Sequence, residues 1–86
     1  MPTISVFLGI SIRMYFDEHS PAHFHAYYGE ESIAIEIETL RILKGHMPPR
    51  VIGLILEWAS LHKTELLEDW ALAQAHKPLK DIKPLI

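Results

Sequence analysis

The chain predicts an α+β domain: a small antiparallel sheet of four to five strands in the N-terminal half, packed on one long C-terminal helix and followed by an extended tail. Three observations predict it. Apolar and polar residues alternate over about residues 3–44, apolar residues recur at three- and four-residue spacing over about 49–76, and Pro78 and Pro84 bar helix from the tail, 77–86. At 86 residues and 9.9 kDa the chain has material for one core, so residues 1–86 are expected to form a single domain.

Ile10, Ile12, Met14 and Phe16 fall on even positions, with Ser11, Arg13 and Tyr15 between them, which describes a strand with one buried face. Ile4, Val6 and Leu8 carry the same parity upstream, and Gly9 divides the two runs as a tight turn. After the polar stretch Asp17 to Pro21, the segment Ala22 to Tyr28 places Phe24, Ala26 and Tyr28 on one face and His23, His25 and Tyr27 on the other. Ile33, Ile35 and Ile37 then alternate with Ala34, Glu36 and Glu38, and Gly29-Glu30-Glu31-Ser32 joins these two strands as a hairpin. Arg41 to Lys44 is expected to return antiparallel, with Arg41 beside Glu38.

Pro48 and Pro49 suit a first helical turn, where a missing N–H costs nothing. Val51, Ile55, Trp58, Ala59, Leu66, Trp70 and Ala73 make a broad stripe on the helix that follows, which has room for a bend near Lys63-Thr64. Leu79, Ile82 and Leu85 give the tail enough apolar surface either to pack back or to dock on a partner.

Composition narrows the functional classes. Hydrophobic residues at 49% and charged residues at 22% are those of a folded chain rather than a disordered one. A formal charge of −3 gives no basic surface for a phosphate backbone, so RNA is not favoured as a partner. The absence of cysteine excludes disulfides, thiolate zinc sites and cysteine nucleophiles. No basic leader precedes an apolar stretch and no run of about 18 apolar residues occurs, so the expectation is a cytoplasmic protein without a membrane partner.

The hairpin supplies one candidate site. Parity selects a register in which Tyr28 meets Ile33, Ala26 meets Ile35 and Phe24 meets Ile37, leaving His25 opposite Glu36 and His23 opposite Glu38. Directly opposed side chains have Cβ atoms about 5 Å apart, so two imidazoles and two carboxylates converge. Three uses compete: solvent-facing His–Glu pairs; a divalent metal site, zinc or nickel, drawing on His19, His23, His25, Glu36 and Glu38; and acid–base chemistry on a phosphodiester by His23 and His25, with Arg13 as charge stabiliser. On the helix, His62, Glu65 and Asp69 form a second polar cluster, expected to turn to solvent unless His62 reaches the histidine strand.

Pro2-Thr3, the run His19 to His25 leading to Tyr28-Gly29, then Glu57-Trp58, His62, Glu65-Leu66 and Trp70 together resemble the small bacterial family described as domain of unknown function 4160. Members carry His-x-Pro-Pro-His-x-His where this chain reads His19-Ser20-Pro21-Ala22-His23-Phe24-His25, so Ala22 stands in place of a second proline. The resemblance spans nearly the whole chain. It implies a gene neighbour encoding another small protein, in an arrangement similar to a toxin–antitoxin pair. On that basis the expected role is a protein-interaction module with a neighbouring gene product as partner, or as a homodimer, and the alternative is a ribonuclease-like or metal-binding protein using the His23/His25 face.

Overall fold

The computed structural model describes residues 2–86 and consists of a five-stranded antiparallel meander, two helices and a packed tail. Strand β1 (Thr3–Phe7) turns into β2 (Ile10–Arg13) through Leu8-Gly9, both at positive φ (51° and 79°), the backbone a type I′ hairpin turn requires. Between Thr3 and Ser5 the pairing slips, so that Thr3 opposes Arg13 and Ser5 already opposes Ile12. The extra residue reverses the alternation: Phe7 enters the core while Val6 is 60% exposed. The inward parity expected of Ile4, Val6 and Leu8 therefore holds only at Ile4.

Strands β3 (His23–Tyr28) and β4 (Glu31–Glu36) pair with Tyr28 opposite Glu31, His25 opposite Ala34 and His23 opposite Glu36. This corrects the expected register, in which His25 faced Glu36 and His23 faced Glu38, by two residues. The turn is Gly29-Glu30 alone, with Gly29 at φ 58°, and this two-residue loop extends the ladder by the pairs Tyr27–Ser32 and Tyr28–Glu31 that a four-residue loop would forgo. A shift of two preserves parity, so isoleucines still face inward and both histidines outward. Strand β5 (Ile42–Gly45) completes the sheet, and Arg41, just before it, pairs with Glu36 at 3.5 Å rather than with Glu38. Gly45 opposes Ile33 at φ 85°, where a Cβ would stand 2.2 Å from the Ser32 carbonyl oxygen.

The single long helix is also corrected. Helix α1 (Pro49–Leu61) and helix α2 (Lys63–Gln74) meet at His62, whose φ of −126° leaves the helical range. A straight helix over 49–76 would run about 42 Å at about 1.5 Å per residue, beyond the 33 Å of the molecule's longest axis. The break lets α2 turn back to the sheet, with Leu66 and Ala73 in the core and Trp70 against His23. Val51, Ile55, Trp58 and Ala59 of α1, with Leu66 and Ala73 of α2, bury the sheet's inner face of Ile10, Ile12, Met14, Phe24, Ile33, Ile35 and Ile37.

The tail packs back. Ile82 is buried and its N–H donates to the Ile4 carbonyl at 2.7 Å, while Trp58 Nε1 donates to the Lys83 carbonyl at 2.9 Å. Among the described residues no helix is long and apolar enough to cross a membrane.

Candidate metal centre

The sheet's outer face is where the site lies. Ser11, Arg13 and Tyr15 follow the outward parity of β2 and its continuation, and β3 sets Tyr27 beside Ser11 and His25 beside Arg13. Period-two alternation thus gathers two histidines, two tyrosines and an arginine on one surface.

The carboxylate that joins the histidines comes from the loop between β2 and β3. Glu18 Oε1 lies 2.5 Å from His25 Nε2 and 3.1 Å from His23 Nε2, and one donor atom from each of the three residues lies within 4.8 Å of the others. All three side chains are partly buried. The loop is tied to the C-terminal end of α2: Gln74 Nε2 donates to the Glu18 carbonyl at 3.1 Å, and His76 Nε2 lies 2.8 Å from Asp17 Oδ1. Trp70 supplies a wall, its ring 5.2 Å from that of His23. Burial pushes the Glu18 carboxyl up, but the hydrogen bonds and charges of His25 and His23 outweigh it and leave the group below its ordinary value.

The histidines are themselves oriented. His23 Nδ1 lies 2.7 Å from the Pro21 carbonyl, a contact that requires Nδ1–H as donor and so leaves Nε2 as the atom aimed at Glu18. The His25 ring packs edge-on against Tyr15 at 5.0 Å. Tyr15 and Tyr27 share a hydroxyl–hydroxyl hydrogen bond of 2.6 Å, and burial together with that bond pushes the Tyr27 phenol up to about 12. The Arg13 guanidinium lies over the Tyr27 ring at 4.3 Å, with Nε donating to Ser11 Oγ at 3.1 Å.

Of the residues the sequence nominated, His23, His25 and Arg13 share this surface and the rest do not join it. His19 is exposed in the loop. Glu36 lies opposite His23 in register, yet its Oε1 accepts from Thr39 Oγ1 at 3.0 Å and pairs with Arg41. Glu38 follows the end of β4 and is exposed. His62, at the break between the helices, does not reach the histidine strand: its Nδ1 lies 2.5 Å from Glu65 Oε1 and its ring beside Trp58. Asp69 does not turn to solvent: it is 1% exposed and its Oδ1 accepts from the Lys80 N–H at 2.9 Å.

Glu18 was the residue missed. Strand periodicity cannot place a loop side chain, and its only sequence signal was its position five and seven residues before the two histidines.

A family model described as Domain of unknown function (DUF4160) matches residues 9–71. No curated protein and no solved structure matches the chain.

Proposed function

The chain belongs to the family described as Domain of unknown function (DUF4160), and within it we propose a divalent-metal-binding role for the face built by Glu18, His23 and His25. One observation carries this: two imidazole Nε2 atoms meet a single carboxylate oxygen, while the Nδ1 of His23 is engaged by a backbone carbonyl. That second contact commits Nδ1–H to a carbonyl, as in metal-ligating histidines, so Nε2, which donates to Glu18 here, is the nitrogen that would ligate an ion taking the place of its proton. Donors on a tetrahedral zinc ion stand about 3.3 Å apart when each bond is about 2.0–2.1 Å. The His23–Glu18 separation of 3.1 Å is close to that, and His25 needs to open from 2.5 Å by about 0.8 Å. Two imidazoles and one carboxylate suit zinc or nickel and leave coordination positions for water or a further ligand.

Zinc or nickel at 100 times its Kd is expected to stabilise the fold by about 2.7 kcal/mol, a rise in Tm on the order of 10–20 °C. A chelator should reverse the rise. His23→Ala and Glu18→Gln should each remove it, whereas Glu38→Gln should leave it intact. An unchanged Tm across divalent metals, or a Glu18→Gln protein that responds like the parent, rejects the proposal.

A second reading, a protein-interaction module with a neighbouring gene product, is supported by Val6 and Leu8, which the β1 bulge and its turn leave 60% and 52% exposed. Replacing both with Ser should abolish co-purification with that product while leaving metal binding unchanged; an intact complex would reject it.

A further inference from the structure

The three ligands of the proposed metal site leave out the arginine that stands beside His25. Arg13 is the direct cross-strand neighbour of His25, its guanidinium lies over Tyr27 and its Nε is used by Ser11. Among the described residues no carboxylate pairs with it, although the chain has 11 Asp and Glu. Arg41, by contrast, finds Glu36. A stacked guanidinium whose terminal nitrogens have no hydrogen-bond partner among the described residues is an oriented fork for an oxyanion. The hydroxyl pair of Tyr15 and Tyr27 adds to it, because one O–H serves the pair and the other remains free to donate.

Resting on the metal reading above, we infer that this face binds a phosphate monoester, with phosphoryl oxygens shared between the metal held by Glu18, His23 and His25 and the Arg13 guanidinium. Charge selects the class. A divalent ion, the Glu18 carboxylate and Arg13 sum to a surplus of about two positive charges, which matches a dianionic terminal phosphate rather than a monoanionic diester. The chain's net charge of −3 works against an extended polyanion, since the field beyond the site repels successive phosphates. Trp70 of α2 walls the site beside His23, and Tyr27 and Ser11 hold Arg13 at its other side.

Cobalt(II) replaces zinc as a spectroscopic reporter, and phenylphosphonate, a stable dianion, is the probe. Adding it to the cobalt-loaded protein should perturb the visible absorption saturably. Arg13→Gln should weaken that response at least tenfold while cobalt affinity stays within about twofold, and Arg13→Lys should recover part of it, which a purely structural role would not produce. Circular dichroism checks that both variants fold, and Arg13→Lys serves as the deciding variant if Arg13→Gln does not. A cobalt spectrum indifferent to phenylphosphonate, an Arg13→Gln response equal to the parent's, or an Arg13→Lys response no better than that of folded Arg13→Gln overturns this inference alone. Equal or tighter binding of a dinucleoside monophosphate overturns the choice of a monoester. Failure of cobalt to bind at all overturns the metal reading and this inference together.

Discussion

Asp69 shows how a single residue can oppose the fold it belongs to. It lies on the buried stripe of α2, three residues after Leu66 and four before Ala73, where a helix directs side chains to the core. Its Oδ1 is satisfied by the Lys80 N–H and its Oδ2 has no partner among the described residues. Burial pushes the carboxyl above its ordinary value, and Glu68, Asp81 and Glu65 add to that while the Lys80 N–H offsets part of it. A raised acid favours the neutral form in the folded state, so the associated stability is complete below about pH 4 and is lost as pH rises through the raised value. Within that window the loss is about 1.4 kcal/mol per pH unit. Asp69→Asn cannot titrate, so its stability relative to the parent should grow between pH 4 and pH 7, as read from urea midpoints at each pH. Parallel curves for the two proteins would show that Asp69 ionises without hindrance.

Among the elements, the hairpins depend on backbone conformations that side chains do not reveal. Gly45 and Gly53 make the contrast measurable. At Gly45 an added methyl meets the Ser32 carbonyl at 2.2 Å under a positive φ, whereas at Gly53, exposed on α1, it meets nothing within 4 Å. Gly45→Ala should cost about 2 kcal/mol or more, and Gly53→Ala should stabilise by about 0.8–1 kcal/mol through helix propensity. Thermal denaturation of the two variants should move in opposite directions. The register of β3 on β4 belongs to the same scale. Alternation of Ile33, Ile35 and Ile37 fixes which face is wet, but registers two residues apart satisfy it equally, and only the Gly29-Glu30 turn distinguishes them. The expected histidine–carboxylate face was legible for that reason, and its partners were not.

For the molecule as a whole, the tail is the last component of the core. Beyond Pro78 it contributes the buried Ile82, the half-buried Leu79 and Leu85, the acceptor for Trp58 Nε1, the donor for Asp69 and the donor to the Ile4 carbonyl. Removing residues 79–86 should cost about 3–5 kcal/mol, from one fully buried isoleucine and three hydrogen bonds. Small domains hold only about 5–15 kcal/mol in total, so the truncated protein should unfold at markedly lower urea. A truncated chain with the parent's urea midpoint would show that the tail is peripheral. The break at His62 acts at this scale too, because it brings Trp70 to His23 and Gln74 to the Glu18 loop.

The sequence by itself determined the α+β class, the wet and dry faces of the hairpin and the presence of His23, His25 and Arg13 on the wet one. These follow from periods of 2 and 3.6 residues, which are local properties of the chain. The tertiary structure decided that Glu18 is the carboxylate meeting the histidines, that the helix breaks so that α2 can hold the Glu18 loop, and that the tail closes the core. Each of these depends on contacts between segments far apart in sequence or on a loop with no period, and local patterning carries no information about either.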